Sequence, residues 1–172
     1  MGRSRLVPDV VVYQAVRSLL EQGGSRAVSF GTVATHSGLS APSLVQRYGS
    51  RDGMVHLALI DGWEQLETVT GDTMQDAPQN IKGAVGVLKA LSAQSALLRV
   101  LMSATQDPVL SQRAGDWRAG IVLALSTRLG GSVRNTAAGE MLFAAWYGRM
   151  IWSDAGVAGF KLRSLAKTLS TD

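Results

Sequence analysis

Apolar residues return along this chain at helical intervals almost from end to end. Val12, Val16 and Leu19 repeat at i, i+4 and i+7, with Ala15 and Leu20 widening the stripe. The spacing predicts a helix from Pro8 to Gln22 that Gly23-Gly24 closes, and Pro8 suits its first turn. Ser29 stands where a side-chain oxygen can cap a short helix with Phe30, Val33 and Ala34 inward, and Gly38 supplies a left-handed residue to end it. Leu39 is the buried residue of the turn. Ser40 can cap a second short helix, with Pro42 in its first turn and Leu44 and Tyr48 four residues apart on one face. Ser50 caps a longer third helix, with Asp52 at its positive end and Met54, Ala58, Trp63 and Leu66 along it to about Thr70.

Gly71 to Asn80 reads as a polar, Pro-containing connector. A helix from about Ile81 carries Ala84, Leu88 and Leu91, and the pattern resumes through Leu98, Leu101 and Met102 until Asp107-Pro108 breaks it. The next helix, about Val109 to Leu129, has Ala114, Trp117, Ile121 and Leu125 on one side and ends at Gly130-Gly131. Two more follow, from about Ser132 to Trp152 and from about Val157 to Leu169. The first carries Ala138, Met141, Leu142, Ala145 and Trp152 on one face, with Phe143, Tyr147, Met150 and Ile151 on the rest. The second carries Leu162, Leu165, Ala166 and Leu169. No strand-like alternation interrupts this series, so the fold class is all-α. The interior glycines Gly83, Gly86, Gly115, Gly120, Gly139 and Gly148 each cost a helix about 1 kcal/mol relative to alanine. They predict close helix crossings, or room for a ligand between helices.

One stretch carries candidate chemistry. From Ser29 to Tyr48 the order is helix, glycine turn, short helix, the geometry of a helix-turn-helix whose second helix enters the major groove. That helix would bury Leu44 and expose Ala41, Ser43, Val45, Gln46 and Arg47. A hydroxyl, an amide and a guanidinium are groups that read base edges and bind phosphates.

Composition narrows the remainder. The 172 residues hold no cysteine and two histidines, which excludes a disulfide framework, a thiolate metal site and a thiol nucleophile, and argues against a histidine-built metal site. His36 and His56 read as surface or boundary residues, and no metal or cofactor is expected. An apolar fraction of 46% with 17% charged residues belongs to a globular chain. No run of about 18 uncharged apolar residues exists, so neither a transmembrane span nor a signal peptide is expected, and a cytoplasmic location is the default. The net charge of +4 is unevenly placed. Residues 1–60 contain six bases (Arg3, Arg5, Arg17, Arg26, Arg47 and Arg51) against three acids, a local charge of +3 that suggests an anionic partner at that end. There is no Gly-x-Ser-x-Gly elbow and no strand to mount one, so a serine-histidine enzyme is not supported.

The run Val28 to Met54 resembles the TetR family of transcriptional regulators. The resemblance rests on Ala34-Thr35-His36-Ser37-Gly38-Leu39-Ser40 at the turn, the short helix ending Val45-Gln46-Arg47-Tyr48, and the Ser50-Arg51 start of the following helix. It extends over about residues 8–66. Val45 stands where the family commonly has tyrosine, Arg47 where it has histidine, Tyr48 for phenylalanine and Arg51 for lysine. Gly31 lies where some members carry a base-reading arginine. The resemblance implies a three-helix DNA-binding domain over residues 6–66 and a helical ligand-binding and dimerisation domain over 67–172. It implies that Ser29, Ser40, Ala41, Pro42, Ser43, Val45, Gln46, Arg47 and Arg51 meet double-stranded operator DNA. Among them Arg51 would clamp phosphate at the positive end of its helix, and the Arg3, Arg5 tail could enter a minor groove.

It further implies a homodimer through the last two helices and an effector pocket. Candidate lining residues are Trp63, Leu66, Leu88, Leu91, Leu98, Met102, Trp117, Ile121 and Met141, whose low charge favours a small apolar or aromatic effector. The expected function is a ligand-responsive homodimeric repressor acting on a pseudo-palindromic operator. Its alternatives are a helical ligand-binding protein without operator recognition and an all-α enzyme using the C-terminal cavity.

Overall fold

The computed structural model describes residues 7–132, 136–153, 156 and 159–170. Among them are nine α-helices and one 3₁₀ turn. The helices are α1 (Asp9–Gly23), α2 (Phe30–Ser37), α3 (Ala41–Tyr48), α4 (Arg51–Asp76), α5 (Ile81–Ser92), α6 (Ser95–Met102), α7 (Pro108–Arg128), α8 (Ala137–Ile151) and α9 (Leu162–Leu169), and the 3₁₀ turn Gly24–Ala27 follows α1. The all-α class is as the periodicity predicts. No single helix among the described residues is long and apolar enough to cross a membrane.

Several boundaries differ from the sequence reading. Helix α4 does not stop near Thr70 but continues through the expected connector to Asp76. Its last carbonyls have a partner: Arg128 Nη2 donates to Met74 O at 2.7 Å and to Ala77 O at 3.2 Å, a cationic side chain at the negative end of the helix dipole. The apolar run from Ile81 to Met102 is two helices, divided at Ala93-Gln94. Helices α8 and α9 start later than predicted, at Ala137 and Leu162. The predicted helical segments at residues 133–135 and 157–158, like the Arg3, Arg5 tail, lie outside the described residues.

The chain divides into two compact units, residues Met1–Leu66 with Ala96–Gln106, and Glu67–Ser95 with Asp107–Asp172. In the first unit Val12, Val16, Leu19, Val28, Val33, Leu44, Met54 and Ala58 form one buried cluster shared by α1 to α4. An ion pair lies against it. Arg17, only 7% exposed, donates to Asp61 Oδ2 at 2.6 Å and to Ala58 O at 2.8 Å, fastening α1 to α4. Residues 96–106 return to this unit and pack tightly at Gly62 in α4. A Cβ there would lie 3.1 Å from both Arg17 Cδ and Leu101 Cδ2 and 3.2 Å from Leu97 Cδ1, so glycine admits α6 side chains that an alanine would crowd.

In the second unit α7 packs on α8, and Gly139 is the point of closest approach. A Cβ on Gly139 would stand 2.3 Å from Val122 O, inside any real contact distance. Gly83 is similar, with Pro78 O only 1.8 Å from a notional Cβ. The other four interior glycines, Gly86, Gly115, Gly120 and Gly148, have open space at that position and mark no crossing within the unit. Helix α8 buries Leu142, Phe143, Trp146 and Met150, and Phe143 meets Trp117 edge-on with centroids 6.1 Å apart. Trp117 Nε1 donates to Thr70 Oγ1 at 3.0 Å, and Arg113 grips Glu67 through Nε at 2.6 Å and Nη2 at 2.7 Å. The opposite side of α8 leaves Met141 and Ile151 exposed, with Trp152 exposed just past its end.

Candidate nucleic-acid interface

The helix-turn-helix begins at Ser29, whose extended backbone and hydroxyl start α2. Ser29 Oγ accepts from Thr32 N at 3.1 Å while Thr32 Oγ1 accepts from Ser29 N at 2.9 Å, so two otherwise orphaned amides are satisfied reciprocally. Gly38, at φ 75°, ends α2 in the left-handed region where a Cβ would be strained. Ser40 then repeats the capping role for α3, its Oγ accepting from Ser43 N at 3.2 Å and lying 2.7 Å from Ser43 Oγ. Pro42 occupies the first turn, where no intrahelical N–H is needed. Leu44, fully buried, pins α3 to the cluster beneath it.

With Leu44 inward, the opposite side of α3 is open. Pro42, Ser43, Val45 and Gln46 are exposed and Ala41 is half-buried at the start of the helix. Of the residues on this face, Ser43 and Gln46 bring hydrogen-bonding groups, while Ala41, Pro42 and Val45 (45% exposed) bring methyl and methylene surface. Thr35 and His36 on α2 are exposed as well, with Thr35 Oγ1 donating to Gly31 O at 3.1 Å and His36 Nδ1 2.8 Å from Thr32 O.

The cations are arranged differently from the sequence expectation. The sequence resemblance makes Arg51 a phosphate clamp. Its Nε donates to Val28 O at 2.8 Å, its Nη1 to Asp52 Oδ1 at 2.6 Å, and its Nη2 to Ser25 O and Ser25 Oγ. Nε and Nη2 hold the α1–α2 connection against the start of α4, and Nη1 pairs with the adjacent Asp52. Arg47 Nη1 donates to Val7 O at 2.9 Å and to Asp9 Oδ1 at 3.2 Å, and the Tyr48 hydroxyl donates to the same Asp9 oxygen. Tyr48 lies 6.1 Å from Tyr13, ring to ring, and burial followed by the bond to Asp9 pushes its phenol well above the ordinary tyrosine range. Arg17 is spent on Asp61. Among the described residues of the first unit's N-terminal segment, only Arg26 is an exposed arginine with no ion pair. Among the described arginines of that count, Arg17, Arg47 and Arg51 therefore form internal ties. Asp9, Ser25 and Asp61, which make those ties, carry no short-range signal in the sequence because each partner is 26 to 44 positions away.

The nine residues expected around an effector occupy packed positions for the most part. Trp63, Leu66 and Leu98 in the first unit, and Leu88, Leu91 and Ile121 in the second, are at most 1% exposed. Met102 is half-buried on α6, and Trp117 is buried with its indole bonded to Thr70. Met141, at 58% exposed, points out of its unit, so it does not line an interior pocket there. The second unit holds a different cavity, about 190 Å³, lined by Ser92, Ser95, Trp146, Arg149, Met150, Ser153 and Leu162. Trp146 Nε1 donates across it to Ser92 Oγ at 2.9 Å. Sequence periodicity registers Met150 and Leu162 but gives no reason to join them to serines and an arginine. Among the described residues no group of three His, Cys, Asp or Glu could hold a metal ion.

No protein-family model and no curated protein matches the sequence. Solved structures do match in shape. A TetR-like transcriptional regulator from Rhodococcus sp. RHA1 superimposes with a TM-score of 0.71 at 14% identity, covering 98% of this chain and 94% of that one. A second transcriptional regulator from Rhodococcus sp. gives 0.72 at 16% identity, over 94% of this chain and 92% of that chain. A member of the TetR family from Streptomyces coelicolor A3 gives 0.66 at 16% identity, over 94% and 96%. The fold of this chain is the TetR-like all-α fold.

Proposed function

We propose that this chain is a DNA-binding transcriptional regulator of the TetR type, a homodimeric repressor that binds a pseudo-palindromic operator and is released by a small-molecule effector. The observation that carries the reading is the capped α2–turn–α3 unit, which buries Leu44 and leaves Ser43 and Gln46 exposed. The similar solved structures bear names of transcriptional regulators, which agrees with this use of the fold. Ser43 and Gln46 would contact base edges, Ala41, Pro42 and Val45 the thymine methyl and groove wall, and the helix-capping Ser29 and Ser40 would keep α2 and α3 in register.

One short helix reads few base pairs, so two copies spaced about 34–36 Å apart would be needed to engage successive major grooves. The exposed Met141, Ile151 and Trp152 on and after α8 supply apolar area for pairing, and Gly148 leaves room for a close partner. An effector in the 190 Å³ cavity would be small and would meet Trp146 and Met150 on one side and Ser92, Ser153 and Arg149 on the other. That lining favours an amphipathic molecule over the mainly apolar or aromatic one suggested by the sequence. Coupling of about 1–3 kcal/mol between the two sites would be enough for induction.

The test is fluorescence anisotropy on duplexes from the chain's own upstream region against random duplex at 150 mM salt. Wild-type binding no tighter to any upstream duplex than to random sequence would reject operator recognition. Retained small-molecule binding in that case would favour the second reading, a helical ligand-binding protein without operator recognition, to which the internally engaged Arg47 and Arg51 lend weight.

A further inference from the structure

Arg47 is the only charged residue of α3 and lies at its C-terminal end, on the rim of the face that Ser43 and Gln46 present. A guanidinium in that place would ordinarily be a phosphate contact, adding affinity for any duplex regardless of sequence. Here its Nη1 is held 3.2 Å from Asp9 Oδ1 and 2.9 Å from Val7 O, and its side chain is 27% exposed. Asp9 belongs to the first turn of α1, where the helix dipole favours an anion, and its carboxylate is 55% exposed. The same oxygen receives the Tyr48 hydroxyl, so the carboxylate is fixed at the end of the recognition helix.

We propose that Asp9 is a specificity-determining residue: an internal anion at the edge of the DNA face that cancels Arg47 and so suppresses sequence-independent binding. The inference rests on the operator-binding reading above. If Arg47 stays on Asp9, it adds no phosphate contact. If it swings to a phosphate, it leaves an unpaired carboxylate beside the DNA backbone, and the gain is offset by repulsion. In both arrangements the net charge of this rim is zero, while the base-edge contacts of Ser43 and Gln46 are untouched. The ratio of operator to random affinity therefore rises. Since non-specific sites outnumber an operator by orders of magnitude, that ratio is what a regulator needs.

Asp9→Asn is the informative change because an amide oxygen still accepts from Tyr48 and Arg47 while the charge is gone. With the full-length protein, D9N is expected to bind random duplex about threefold to tenfold more tightly near 50 mM salt. Its plot of log affinity against log salt should be steeper by about 0.9, the increment of one phosphate contact. The operator-to-random ratio should fall. The same substitution made in an Arg47→Ala background should leave the slope unchanged and raise random-duplex affinity by less than in the wild type, since only the repulsion of the bare carboxylate is relieved. Asp9→Ala, which also removes the acceptor for Tyr48, should instead lower operator affinity. Equal random-duplex affinity and slope for D9N and wild type would overturn the proposal, and so would a gain in affinity and slope that is as large without Arg47 as with it. A wild type that prefers no upstream duplex over random sequence would reject the operator-binding reading instead, and the D9N comparison on random duplex would still be readable.

Discussion

Arg51 donates through Nη2 to the Ser25 hydroxyl at 2.6 Å, joining residues 26 positions apart. With its bonds to Val28 O and Asp52 it closes the loop between α1 and α2 over the start of α4. An arginine that looks like a DNA clamp in the sequence is thus a brace for the unit that carries α3. Arg51→Ala should lower the stability of the protein by about 1–2 kcal/mol, less than fully buried charged bonds would give because the side chain is 35% exposed. Urea melts read this directly. In DNA titrations the variant should keep the wild-type salt slope; a slope shallower by about 0.9 would mean that Arg51 does reach a phosphate.

Base reading should be concentrated in Gln46. Its amide is exposed on α3, and a bidentate amide contact to a base contributes about 1–3 kcal/mol of discrimination. Gln46→Ala should weaken operator binding by roughly tenfold or more while leaving random-duplex affinity and thermal stability as they were. An equal loss on both duplexes would assign Gln46 to the backbone and move the reading function elsewhere.

These two arginine and glutamine cases show where sequence legibility stops. Capping serines, the Gly38 turn and the buried Leu44 are local: each is determined by residues within four positions, so the chain displays them openly. The path of α4 past Gly71 is not, because the group that completes its end is Arg128, more than fifty positions away. The same holds for charge. A tally of bases predicts an anionic partner, yet whether Arg47 faces solvent or Asp9 depends on how α1 lies beside α3. Packed apolar stripes mislead in the opposite direction. Trp63, Leu88 and Ile121 are spaced like pocket walls and are simply core. The cavity beside Trp146 joins Ser92 to Arg149 and Leu162, a set with no periodicity in common.

All three tyrosines of the chain, Tyr13, Tyr48 and Tyr147, should titrate above the ordinary value of about 10. Burial is the first cause in each, and for Tyr48 the hydroxyl's bond to Asp9 adds to it. The folded state keeps protons that the unfolded chain releases near pH 10. This stabilising contribution is fully present below that pH and is lost as pH rises through the higher folded-state values. Absorbance at 295 nm should therefore show no tyrosinate step until beyond pH 10, and stability should decline from that point upward. Tyr48→Phe should lessen the alkaline decline. A tyrosinate step of three residues centred at pH 10 in the folded protein would contradict the Asp9–Tyr48 geometry.

The contrast between two glycines tests the packing of the second unit. At Gly139 a methyl group would meet Val122 O at 2.3 Å, and the obstacle is backbone that cannot rotate away. Gly139→Ala should destabilise by about 1–3 kcal/mol. Gly86 is exposed in mid-helix with nothing near its notional Cβ. Gly86→Ala should stabilise by up to about 1 kcal/mol by improving helix propensity alone. Denaturant melts of the two variants should move in opposite directions.

Pairing of two copies can be tested at Met141, which at 58% exposed contributes little to the core of its own unit. A charge placed there costs almost nothing in a monomer, since water solvates it. In a dimer closed over α8 the same charge would be buried twice, once from each subunit and without a partner, at a cost of about 3 kcal/mol or more. Met141→Arg should therefore leave thermal stability at low concentration nearly unchanged and weaken self-association by at least about a hundredfold in sedimentation velocity. Operator affinity should fall with it, because a single α3 cannot hold a two-half-site operator, while random-duplex affinity, which the added cation can only favour, should not. An M141R protein that sediments as wild type would place the pairing surface away from this side of α8.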